Sequence, residues 1–193
     1  MLWDIIKFGL HNRPIVRGVH FQPVSYFGRI PKIPEEDDRI TLPEVMSKIA
    51  YQSFNHIKLS DFGPPGCENA LCSFHANYIM VDERLIPISK KSSCCCGEEN
   101  GSQGSSKTIK FVEKNWSGVK VNKQVPKKNS FEELAEKIKT GFFSISAMAF
   151  QDVWNVDIER LKDCCIHVVS KEGNLIPFCA YNMTSSSGEK LYR

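Results

Sequence analysis

The sequence predicts an α/β fold. Three features point to it: an apolar helical face at the start of the chain, a β-rich run directly after it, and a Thr-Leu-Pro-Glu capping box opening a second helix. In Met1–Asn12 the residues Leu2, Ile5, Ile6, Gly9 and Leu10 fall on one helical face, and Arg13-Pro14 ends the helix. Ile15–Tyr26, with Val16, Val19, Phe21 and Val24, reads as a buried strand closed by Gly28 and the Pro-rich stretch to Pro34. The acidic run Glu35–Asp38 reads as a solvated loop. Thr41 caps a helix with Glu44 reaching back to its amide; that helix runs to about Phe54 and buries Val45, Ile49 and Phe54. A strand entered from a helix ordinarily follows an earlier strand, so the chain opens as if partway through a parallel sheet.

The second part is expected to be α+β. Phe74–Val81 and Leu85–Ile88 flank Asp82-Glu83-Arg84 as a hairpin. Residues 89–106 are low in complexity and read as a mobile loop; Lys107–Trp116 reads as a short helix. Ser130-Phe-Glu-Glu133 is a second capping box, opening a helix to about Thr140. Gly141–Phe150 reads as a strand and Asp157–Lys162 as a turn or two of helix. Cys165–Ser170 and Leu175–Tyr181 read as a hairpin around Lys171-Glu-Gly-Asn174.

Composition narrows the function classes. Of 193 residues 41% are hydrophobic and 24% charged, as in a globular protein. No apolar run reaches the roughly 20 residues that span a bilayer. The first ten residues carry Asp4 and Lys7 and no small-residue cleavage site, so a cytoplasmic location is expected. A net charge of +3 is too mild to imply a nucleic-acid partner. Lys107–Lys128 holds seven lysines against one acid, Glu113, but no arginine, and reads as a solvated amphipathic face.

The eight cysteines are the chemically informative residues. Cys67-x4-Cys72, followed by His75, sits by a Gly/Pro loop that can fold thiolates inward around a metal; two buried cysteines before a strand are the other reading. Cys94, Cys95 and Cys96 lie in a polar stretch with Lys90 and Lys91, which favour thiolates, or are incidental to a disordered loop. Cys164, Cys165 and Cys179 mark the ends of the last hairpin. If Cys164 and Cys165 lie in its strand they face opposite ways; His167 shares a face with Cys165 and reads as a core histidine, a ligand being the other reading. None of these spacings is a zinc-finger pattern, and iron–sulfur clusters tolerate irregular spacing better.

Arg17-Gly-Val-His-Phe-Gln-Pro-Val24, then Gly28-Arg29, Cys67, Cys72 and His75 resemble the C-terminal half of radical SAM iron–sulfur proteins. Met148–Asp152, Cys165–Val169 and Ile176-Pro-Phe-Cys-Ala-Tyr-Asn182 continue the resemblance over nearly the whole chain. The group is similar to the TrsS-like radical SAM (seleno)proteins and related to tetraether lipid synthase. The resemblance implies the end of a partial TIM-like barrel over 1–60, followed by a Cys-rich auxiliary-cluster region over 61–193. It also implies a [4Fe-4S] cluster with S-adenosylmethionine as the source of a 5′-deoxyadenosyl radical. The carboxyl end of the first strand, Phe21, Gln22 and Pro23, would line the S-adenosylmethionine pocket. Cys67, Cys72 and Cys179 best match auxiliary-cluster ligands; Cys165, Cys164 or one of Cys94, Cys95 and Cys96 would be the fourth. The family's C-x3-C-x2-C is absent from these residues, so the chain alone is expected to be inactive. The radical-generating half would be an upstream segment, beyond a UGA read as a stop, or a separate chain. The alternative is a stand-alone iron–sulfur or zinc-binding interaction module without catalysis.

Overall fold

The computed structural model describes residues 1–28, 30, 32–64, 68–88, 106, 109–110, 113 and 130–192. The expectations for Cys67, for Cys94, Cys95 and Cys96, and for the stretch 89–105 lie outside the described residues; those for Lys107–Lys128 do so in large part. The chain divides into two compact units. One comprises Met1–Val19, Ile49–Gly63 and Ala76–Ile145, the other His20–Lys48, Pro64–His75 and Ser146–Arg193. The elements are α1 (Leu2–His11), β1 (Gly18–Phe21), α2 (Leu42–Gln52), β2 (Ser73–Val81), β3 (Arg84–Pro87), α3 (Ser130–Gly141), β4 (Phe142–Met148), α4 (Ile158–Lys162), β5 (His167–Val169), β6 (Leu175–Pro177) and α5 (Phe178–Asn182). A four-stranded sheet has the order β1-β4-β2-β3, and β5 pairs with β6 alone. The class is mixed α/β, as expected. Among the described residues no helix is long and apolar enough to cross a membrane.

In the first unit, α1 buries Ile6, Gly9 and Leu10, while Ile5 turns outward. Gly9 is a point of close approach: a Cβ there would stand 2.8 Å from Phe143 Cζ and 3.1 Å from Val19 Cγ2. The first strand is only four residues long, against the twelve expected. Pro14 and Pro23 flank it, and proline offers no N–H to a ladder. Val24, expected inside, is 68% exposed, and Ile15 at the start of the stretch is 90% exposed. Arg17 is buried; its Nη1 donates to the Lys139 carbonyl in the last turn of α3 at 2.9 Å, and its guanidinium lies over the Phe142 ring.

The capping box before α2 forms as read: the Thr41 N–H donates to Glu44 Oε2 at 2.7 Å. The far end differs. The helix stops at Gln52 because Phe54 and Asn55 take left-handed φ values of 52° and 60°. Ser53 is buried and bonded to Ala50 and Ile57, and this reversal throws Phe54 out to 83% exposure. Ile57 takes the core place that Phe54 was expected to fill.

The β2–β3 hairpin closes on Val81↔Arg84 through a two-residue turn. Asp82 and Glu83 both have positive φ, 44° and 62°, the type I′ combination whose twist matches the flanking strands. β4 is buried on both faces from Phe142 to Ser144, as suits an interior strand.

The last hairpin is shorter than read. Cys164 and Cys165 precede β5, so strand alternation does not apply to them, and His167 is exposed rather than a core residue. Phe178–Asn182 is a helix, not the end of a strand, because Pro177 sits at its N-cap with φ −51°.

Tyr78 is fully buried, and its phenol donates to Asp61 Oδ2 at 3.2 Å. Burial, and then the Asp61 carboxylate, push the phenol far above its usual 10.0. The folded chain therefore keeps this proton where the unfolded chain loses it, and stability falls as pH rises past about 10. Tyr78→Phe is expected to flatten that alkaline fall and to cost about 1 kcal/mol at neutral pH. Urea unfolding across the alkaline range checks this; an unchanged slope would contradict it.

Candidate functional site

The candidate site lies in the second unit and is built around a buried carboxylate. The Asp152 side chain has no exposed surface. Its oxygens accept from Arg39 Nη2 at 3.0 and 3.2 Å, from the Tyr26 N–H at 2.8 Å and from the Trp154 N–H at 3.1 Å. The Arg39 guanidinium also lies over the Tyr26 ring. The segment just before Asp152 is thereby fixed, and Ser25 Oγ adds a bond to the Phe150 carbonyl at 2.9 Å. Gln151 is buried; its N–H points at Cys179 Sγ, 3.4 Å away, and its side chain accepts from the Asp157 N–H.

Asp157 caps α4, accepting the Arg160 N–H at 3.2 Å. Arg160 Nε donates to Cys72 Sγ at 3.0 Å, and its Nη2 donates to the Ala149 carbonyl. The Cys72 backbone is held twice: its N–H donates to the Asn69 carbonyl at 2.8 Å, and its carbonyl accepts the Ala149 N–H at 2.9 Å. Cys164 follows the end of α4 and donates its thiol to the Ile166 carbonyl at 3.1 Å. The Phe178 N–H donates to the same Ile166 carbonyl, which sets α5, with Cys179 buried in it, against this turn.

The result is one small cavity lined by Cys72, Cys164, Cys165 and Cys179 together with Arg160 and Phe150. Phe150 and Phe178 close its apolar side, their ring centroids 5.0 Å apart. The free space is about 20 Å³, room for about one water molecule. The thiols feel one another. Burial pushes the Cys165 thiol up, and Glu68, Cys164 and Cys72 push it further. Burial also pushes Cys179 up, against the Gln151 N–H and the Arg160 charge.

The structure thus brings together all four described members of the predicted ligand set. His75 lies on β2 and His167 on β5, and neither lines the cavity. Phe21, Gln22 and Pro23 stand at the end of β1 and do not line the cavity either. As a donor set, four thiols with a cation beside them suit a soft metal centre. Among the described residues no group of three or more His, Cys, Asp or Glu side chains is arranged to hold a metal ion, so the thiols must rearrange to bind one. The sequence reading missed Arg160, which meets Cys72 across 88 residues of chain, and Asp152, which belongs to a recognised block but showed no local sign of burial.

No family model matches the chain. It is similar to the 7,8-dihydro-6-hydroxymethylpterin dimethyltransferase of Methanocaldococcus jannaschii, with 27% identity over 224 residues. The match covers 92% of this chain and 44% of that protein, so the chain spans less than half the length of this curated relative.

Cys179 and Cys165 should respond differently to substitution. Cys179→Ser places a hydroxyl among Phe150 and Phe178 and is expected to cost about 1–3 kcal/mol, whereas exposed Cys165→Ser should stay within about 0.5 kcal/mol. Urea unfolding of the reduced chain measures both; equal losses would show that Cys179 is not the buried member of the set.

Proposed function

We propose that this chain is the C-terminal portion of a radical SAM-type methyltransferase. In this reading an auxiliary [4Fe-4S] cluster takes four cysteine ligands, Cys67, Cys72 and Cys179 with Cys164 or Cys165 as the fourth. The observation that carries the reading is the convergence of four thiols from three separated segments on one cavity. Support also comes from the extent of the match to a dimethyltransferase and from the blocks that resemble radical SAM proteins. By analogy with that relative's name, the substrate class is a reduced pterin or a similar planar heterocycle.

When bound, the cluster supplies one-electron transfer, and S-adenosylmethionine supplies methyl groups and the 5′-deoxyadenosyl radical. The chain's own residues then have separate tasks. The ligating thiols give up their protons to become ligands. Phe150 and Phe178 keep water from the sulfurs, and Arg160 offsets the negative charge gathered there. Phe21, Gln22 and Pro23 line the S-adenosylmethionine pocket at the carboxyl end of β1, a late barrel strand. Residues 1–60 complete the barrel, and 61–193 form the cluster region. The radical-generating C-x3-C-x2-C comes from an N-terminal segment or a separate chain, in the cytoplasm.

Anaerobic reconstitution with ferrous iron and sulfide tests this. The 193-residue chain is expected to turn brown and to hold iron and sulfide in equal amounts. Cys72→Ser and Cys179→Ser should abolish the colour, while Cys94→Ser should matter less. Zinc uptake without iron or sulfide would favour the interaction module. Full iron and sulfide in both serine variants would sink the cluster assignment.

A further inference from the structure

Arg160 is anchored before it reaches the cavity. It is the third residue of α4, and the Asp157 cap fixes its backbone N–H. From there the guanidinium bridges two acceptors that are themselves bonded to each other's residues. Nε meets Cys72 Sγ at 3.0 Å, Nη2 meets the Ala149 carbonyl, and the Ala149 N–H meets the Cys72 carbonyl at 2.9 Å. The three residues form a closed ring of hydrogen bonds. A planar fork with two donors in use has little freedom to turn, and a lysine ammonium cannot span both acceptors in the same way.

We propose that Arg160 is a positioning residue for the thiol cluster: clamped to the Ala149 carbonyl, it aims the Cys72 sulfur into the cavity shared with Cys164, Cys165 and Cys179. The consequence for a bound cluster rests on the function proposed above, but the aiming of the sulfur does not. Groups behind a metal ligand orient it, and their loss commonly weakens binding ten- to a hundred-fold. A cation beside a ligating sulfur also favours the more negative, reduced state of the centre.

Two measurements on the full chain separate these levels. The first uses the metal-free, reduced protein and phenylarsine oxide. Its arsenic exchanges its oxygen for two cysteine sulfurs, releases water and keeps its oxidation state. Peptide mapping should find Cys72 bridged to Cys164, Cys165 or Cys179. Arg160→Ala should weaken bridging at Cys72 roughly ten-fold or more, and Arg160→Lys should fall between the two. If Arg160→Ala fails to fold, by circular dichroism, Arg160→Lys decides, with a several-fold loss expected. Wild-type bridging at Cys72 in the folded variants, or no bridging at Cys72 in the wild type, would overturn the inference. The second measurement is the potential of the reconstituted protein. Arg160→Lys should keep it close to wild type, and Arg160→Ala should disfavour reduction about ten-fold, or 59 mV for one electron. An unchanged potential in Arg160→Ala with intact iron content would also count against the inference. A wild type that takes up no iron or sulfide refutes the cluster reading alone, and the arsenical result still decides the role of Arg160.

Discussion

Removing the Asp152 carboxylate from water costs several kcal/mol unless its oxygens are filled, and the second unit is organised by how they are filled. Each oxygen accepts one backbone N–H, from Tyr26 or Trp154, and both share Arg39 Nη2. These bonds tie the stretch after β1 and the stretch before α2 to the end of β4. With that end fixed, Ala149 can hold Cys72 by its backbone, and Gln151 can meet both Cys179 and the Asp157 that starts α4. The thiol cavity is thus a by-product of satisfying one buried charge. Losing Asp152 would leave Arg39 part-buried without its carboxylate, a more damaging change than losing any exposed ion pair among the described residues.

The first unit is governed by close packing instead. Gly9 lets Phe143 and Val19 reach the backbone of α1, and a Cβ at Gly141 would stand 2.5 Å from the Met80 carbonyl. Both positions require a residue without a side chain for reasons of space, since α1 and α3 meet atoms that have no room to withdraw. Around them Ile6, Ile49, Ile57, Tyr78 and Ile145 are fully buried.

Local signals were readable where a short-range bond or a period decides the structure. The Thr41–Glu44 cap, the face of Ile6, Gly9 and Leu10, and the place of the β2–β3 hairpin are all of this kind, although Arg84, read as part of the turn, lies in β3. Reading failed where a neighbour along the chain overrode the pattern. Pro14 and Pro23 shortened β1, Pro177 turned an apolar strand-like run into a helix, and the reversal at Ser53 exchanged Phe54 for Ile57. For the site, cysteine identity named the candidate donors, but their grouping depends on contacts between distant segments. The ionic partner of Asp152 lies 113 residues away, and no pattern within a helix or a strand carries that information.

The tightness of the thiol cavity has a kinetic meaning. With about 20 Å³ free, the cavity as it stands has room for about one water molecule, so a larger guest needs its lining to open. The turn carrying Cys164 and Cys165 is joined to α5 by the Phe178 N–H on the Ile166 carbonyl and by the β5–β6 pairing, while Cys165 is already open to solvent. Entry of any larger guest is therefore gated by local opening, and should be slow and steeply temperature-dependent. Once the apolar wall of Phe150 and Phe178 has closed again, escape must pass the same barrier, so a guest would be retained for longer than its equilibrium affinity alone implies.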